Sequence, residues 1–119
     1  MTALITAIAL LLPAAAGAWS VKPKPKYMTA EEWAVGMCET GLNPRHRTRD
    51  YQGAYGFYRG SWDAFKPKGY PEEADQATLW QQTVVARRIR ARYGWSGWGC
   101  HTHGGYRYWL NRVPRTLAP

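Results

Sequence analysis

Glu39 is the residue of this 119-residue chain whose type and setting best suit chemistry: it follows Cys38 at the end of a predicted helix and precedes Thr40 and Gly41. A carboxyl group facing an apolar cleft at such a place has its ionised form disfavoured, so it can hold a proton at neutral pH. Cleavage of a glycosidic bond needs such a group, because the departing sugar oxygen must be protonated as the bond breaks. Alone, a Glu at a helix end is more often a solvated charge, and only its context raises it above that. Aromatic side chains supply part of the context, since sugar rings present apolar C–H faces to aromatic planes. Tyr55, Tyr58 and Trp62 are candidate walls for a glycan site. Core packing is an equal reading for Tyr55 and Trp62 and the stronger one for Trp33, Trp95 and Trp98. Gln81 offers its amide to a substrate acetamido or hydroxyl group, and serves a helix cap equally well.

Other chemistries are poorly supplied. His101 and His103 flank Thr102 just after Cys100, but two histidines fall short of the three or four ligands of a zinc site if Cys100 is spent in a disulfide, so no metal is expected. Neither a glycine-rich phosphate cradle nor a serine or cysteine triad is present in the sequence, and no cofactor is implied.

Two capping boxes set the helices that must position these groups. Thr29 with Glu32 opens a helix over about Ala30 to Thr40, which Gly41, Asn43 and Pro44 end. Thr78 with Gln81 opens a second over Thr78 to Tyr93, where Leu79, Thr83, Ala86, Ile89 and Tyr93 recur at helical spacing and Gly94 stops it. Arg87, Arg88, Arg90 and Arg92 fall in its last turns, where cations suit the helix dipole, and are read as a solvated basic face. Gly53 to Tyr58 reads as a tight turn or short strand and Ser61 to Phe65 as a short helix, with a loop from Lys66 to Pro71.

Composition sets the compartment. Residues Leu4 to Leu12 are apolar and Pro13 with Ala14 to Ala18 closes the run on small residues, the pattern of an export signal over residues 1–18. The net charge of +8 belongs wholly to the remainder, because the first eighteen residues carry no charged side chain. Such a surface draws the protein to polyanions; export selects anionic wall polymers over nucleic acid. Two cysteines in a small exported chain favour a disulfide. If Cys38 and Cys100 pair, they close a loop of about 62 residues and contribute about 4 kcal/mol. Lys22 to Lys26, alternating with proline, reads as an extended spacer within a linker over residues 19–29, followed by one small domain over residues 30–100. A basic aromatic tail over residues 101–119 is expected to be dispensable for chemistry.

The stretch from Glu32 to Asn43, with Trp33 ahead of Cys38-Glu39-Thr40-Gly41, resembles the opening of the resuscitation-promoting factor domain. Three further segments match it in order: Gly53, Tyr55 to Tyr58 with Ser61 and Trp62; Ala74, Asp75, Ala77, Thr78, Gln81, Gln82, Val85 and Ala86; and Gly94, Trp95, Trp98 and Cys100. Four spaced matches over residues 31 to 100 are far more specific than one. The resemblance implies a predominantly α, α+β fold, a small relative of lysozyme and the lytic transglycosylases, with Glu39 catalytic and Cys38 bonded to Cys100. It implies a secreted enzyme that cuts the β-1,4 bond between N-acetylmuramic acid and N-acetylglucosamine in peptidoglycan glycan strands. Arg59 and Gly60 lead directly to Ser61 where that family usually carries further residues, which motivates a wall-binding module with a degraded site as one rival; muramidase action is another, and a cationic nucleic-acid binder, suggested by charge interleaved with aromatics, is a third. Asp50 and Asp63 are the nearest acids after Glu39 in the sequence, and neither sits convincingly as a second catalytic carboxylate. A lone acid favours capture of the sugar by its own C6 hydroxyl, and hence a 1,6-anhydro product.

Overall fold

A computed structural model describes residues 20–115; the expected export signal over residues 1–18 lies outside the described residues. Helix α1 (Ala30–Thr40) starts at the expected box: Thr29 Oγ1 accepts from the Glu32 N–H at 3.0 Å, and Glu32 Oε1 accepts from the Thr29 N–H at 2.9 Å. It ends at Gly41, whose φ of 71° lies in the left-handed region that a glycine enters without steric cost. A two-stranded hairpin follows, β1 (Tyr51–Gln52) against β2 (Phe57–Tyr58), antiparallel with Tyr51 opposite Tyr58. Helix α2 (Arg59–Phe65), a 3-10 turn (Ala74–Gln76) and helix α3 (Leu79–Tyr93) complete the body, and α3 is capped by Thr78 and Gln81 as expected. Two short helices, α4 (Gly99–Thr102) and α5 (Tyr106–Leu110), come last. The result is the predominantly helical α+β architecture that the sequence implied.

The core gathers around α1, where Trp33, Ala34, Val35 and Met37 are fully buried, and Trp62, Tyr55, Val85 and Ala86 close on it from the other elements. One glutamine ties the loops to this core. Gln82 Oε1 accepts from the Ala54 N–H at 2.7 Å, while its Nε2 donates to the carbonyls of Pro44, Ala74 and Ala77 at 3.0, 2.8 and 3.0 Å. A Cβ on Gly53 would stand 2.7 Å from Gln82 Oε1, so only glycine lets the hairpin approach that amide.

Three expectations are corrected. The Lys-Pro stretch is docked against the body: the Trp33 indole donates to the Lys22 carbonyl at 3.0 Å, Lys24 Nζ donates to the Met28 carbonyl at 2.7 Å, and Met28 is buried. An extended proline-rich strand keeps its carbonyls unpaired, and here the indole and a lysine of its own satisfy them. Residues beyond Cys100 likewise belong to the fold. Helix α5 lies along α1, with Trp109 buried edge-on to Trp33 at 6.2 Å between ring centroids and Tyr106, Leu110 and Val113 packed on the core. The tail's aromatic residues are apolar area that α1 needs covered. Finally, Arg87 and Arg90 are not merely solvated cations. Arg87 Nε and Arg90 Nη1 donate to Glu32 Oε2 at 2.8 and 2.5 Å, beneath a surface that leaves Glu32 1% exposed. Burial pushes the Glu32 carboxyl up, but hydrogen bonds from Arg87, the Thr29 N–H and Arg90 hold it below its ordinary range.

Candidate active site

Helix α1 delivers Glu39 to its last turn, and three contacts fix that turn. Thr40 is buried and its hydroxyl donates to the Ala54 carbonyl at 2.7 Å, locking the helix end to the hairpin. The disulfide Cys38–Cys100, with Cα atoms 6.0 Å apart, locks it to α4. The Cys100 N–H then donates to Glu39 Oε2 at 3.1 Å. Burial raises the Glu39 pKa above the usual carboxylate value, and that one N–H opposes the rise without cancelling it.

Glu39 opens onto a cleft of about 370 Å³ lined by Thr40, His46, Thr48, Tyr51, Gly56, Gly97, Trp98 and Gly99. Tyr51, Gly56, Gly97 and Trp98 also line an adjoining hollow that reaches Phe57, Tyr58, Ser61 and Ile89, so the two form one groove with Glu39 at one end. Among the described residues no second carboxylate lines either part. Asp50 is engaged by Arg49 at 2.9 Å and Asp63 by Lys66 at 3.1 Å.

The predicted wall residues separate into two groups. Tyr58 is 55% exposed on the groove. Tyr55 and Trp62, in contrast, are buried and are corrected from candidate walls to core: the Tyr55 hydroxyl lies 3.0 Å from Thr83 Oγ1, and the Trp62 indole donates to the Pro71 carbonyl at 3.0 Å. In the alternation of β2 and the turn before it, the exposed face falls to Tyr58 and the inward face to Phe57. Gln81 is spent on the Thr78 cap and does not line the groove, so it too is corrected. His101 packs between the rings of Trp95 and Tyr106, with Nε2 2.9 Å from Glu31 Oε2.

Sequence reasoning missed Tyr51, His46 and Thr48. Tyr51 is 51% exposed, meets Tyr58 edge-on at 6.1 Å and lines both parts of the groove. Its signal was the cross-strand register, which places position 51 opposite position 58 once the turn at Gly53 to Gly56 is recognised. The loop that carries Arg45, His46, Arg47 and Arg49 is strongly cationic, and its arginines are engaged away from Glu39. Arg47 pairs with Glu73 at 2.6 Å and Asp75 at 3.0 Å, Arg59 also pairs with Glu73, and Arg45 donates to the Asp75 carbonyl. Hydrogen bonds from Arg47 and Arg59 lower Glu73 to about 2, whereas no arginine acts on Glu39.

A small, mainly helical α+β body whose first long helix carries a desolvated carboxyl to an open groove, with a short hairpin as the facing wall, is the lysozyme-like arrangement. Residues 28–101 match the model of the transglycosylase-like domain, and the chain belongs to that family. It is also 32% identical, over 85 residues, to resuscitation-promoting factor Rpf1 of Corynebacterium glutamicum. The match takes in 70% of this chain and 44% of that protein, so the chain spans less than half the length of this curated relative.

Proposed function

We propose that the protein cleaves the glycan strands of peptidoglycan outside the cytoplasm, at the β-1,4 bond between N-acetylmuramic acid and N-acetylglucosamine, as a lytic transglycosylase. The observation that carries this reading is Glu39, half-buried and raised in pKa, at one end of a groove whose lining holds no other carboxylate. Glu39 donates its proton to the bridging oxygen as the bond from C1 of muramic acid breaks. The C6 hydroxyl of the same sugar then bonds to C1, and its proton returns to the Glu39 carboxylate. No water is consumed, and the product ends in a 1,6-anhydro ring. Capture by a tethered hydroxyl avoids recruiting a second reactant, and no second acid stands ready to activate water.

Tyr51 and Tyr58 are the aromatic faces against which sugar rings lie. The apolar segment before residue 19 and the disulfide support export, and the net charge of +8 supports retention on anionic wall polymers. Digestion of purified peptidoglycan with mass analysis of the fragments tests the reading. Fragments lighter than hydrolytic ones by one water support it; reducing muramic acid ends make the protein a muramidase, and intact strands make it a binding module.

A further inference from the structure

We propose that His46 is a second proton-handling residue of the groove, which accepts the proton of the attacking substrate hydroxyl and passes it to Glu39. The proposal rests on the glycan-cleavage reading above and adds a group that reading does not use. Its basis is where the chain puts the imidazole. The His46 N–H donates to the Asn43 carbonyl at 3.1 Å and its carbonyl accepts from the Gly53 N–H at 2.8 Å, so the backbone is held on both sides. From His46 the chain runs beside β1, with Arg47 bridged to Gln52. Side chains alternate along such a segment. Arg47 turns to Glu73 and Asp75, and His46 and Thr48 therefore turn to the opposite side, where both line the cleft that holds Glu39.

The remaining titratable lining group is Tyr51 from β1, while Gly97, Trp98 and Gly99 on the far wall bring none. The arginines of the same loop are engaged elsewhere: Arg45 by the Asp75 carbonyl, Arg47 by Glu73 and Asp75, Arg49 by Asp50. Among the described residues the hydrogen bonds of His46 are made by its backbone, and its ring shares the cleft with Glu39. Imidazole exchanges protons readily near neutral pH and handles them on two separate atoms. One ring nitrogen takes the hydroxyl proton as the new O–C1 bond forms and the other releases its own to the ionised Glu39, so Glu39 is protonated again and His46 is left neutral in its other tautomer, which proton exchange with solvent resets.

The test is cleavage of purified peptidoglycan by His46→Gln across a pH series, with kcat and KM separated and folding checked by circular dichroism. A loss of kcat of about 100-fold or more, with KM little changed, supports the relay. So does a pH profile of the rate whose shape differs between His46→Gln and the wild type. A His46→Gly enzyme that regains turnover with added imidazole supports it by a route that needs no other side chain at this position. Wild-type kcat in His46→Gln, or a slower enzyme with an unaltered pH profile, overturns it. Wild type and Glu39→Gln are run alongside: intact strands with the wild type overturn the glycan-cleavage reading, turnover by Glu39→Gln overturns Glu39 as its acid, and an inactive Glu39→Gln beside a fully active His46→Gln removes the relay alone.

Discussion

The Cys100 N–H reaches Glu39 Oε2 at 3.1 Å across 61 positions of sequence, and the residue bonded through sulfur to Cys100 is the immediate neighbour of Glu39. The contact closes a short circuit through Cys38, Glu39 and Cys100. The carboxyl is thereby aimed by a backbone donor that, at position 100, only proline would remove directly.

Glu39→Gln is expected to abolish cleavage and to stabilise the fold at neutral pH. The folded protein binds the Glu39 proton more tightly than the unfolded chain does, since burial raises its pKa. That contribution is complete below the unfolded value and is lost as pH rises through the folded one. Above it the wild type holds an ionised, partly desolvated carboxylate that the amide avoids. Melting temperatures recorded over a pH series should favour the variant at pH 7, with the gap shrinking as pH falls through the folded value and levelling off below about pH 4. A variant that is inactive but less stable than wild type at every pH would contradict this account.

Glu32→Gln should be among the most damaging single changes. It leaves Arg87 and Arg90 without their carboxylate, and breaking a buried pair costs about 3–5 kcal/mol; the partial exposure of both arginines places this one near the lower figure. The pH dependence runs opposite to that of Glu39. The depressed pKa of Glu32 gives stability that is present above the unfolded value and is lost as pH falls through the folded one. Denaturant unfolding of both proteins should show a wide gap at pH 7 that closes in acid.

Trp109→Ala is expected to destabilise by about 3 kcal/mol, as for other large-to-small changes in a core, because it uncovers Trp33. Deleting residues 103–119 removes α5 entirely and should prevent folding, the reverse of what a dispensable tail would do. Soluble yield and circular dichroism of the truncated chain decide the matter.

Tyr51→Ala is expected to raise KM with kcat nearly kept, since the ring offers a face to substrate and lies outside the proton transfers. Trp62→Ala should instead lower stability by about 3–5 kcal/mol, because that ring is buried. Steady-state kinetics beside thermal melts separates the two behaviours.

The helices were legible because their signals are local. Thr29 with Glu32 and Thr78 with Gln81 sit three residues apart, and each box forms as the sequence implies. Glu39 was legible by its neighbours Cys38 and Gly41. The aromatic walls were not, because Tyr55 and Tyr58 share type and segment and differ only in the face that a two-residue strand presents. Pairings across long separations were equally hidden: Arg87 meets Glu32 over 55 positions, and Gln82 meets Pro44 over 38. Composition alone presents these as a basic face and a spare amide.

The disulfide also gives the domain a load path. When the chain is pulled from both sides, tension runs through residues 20–38, crosses the sulfur bridge and leaves through residues 100–115, bypassing everything between. Glu39 is the first residue inside the sheltered loop and Trp98 and Gly99 are among the last, so the whole groove carries no force while the bridge stands. Opening the bridge would release the 62-residue separation, about 210 Å of extended chain, where 6.0 Å now separates its ends. An enzyme drawn along a stretched cell wall would keep its cutting edge slack.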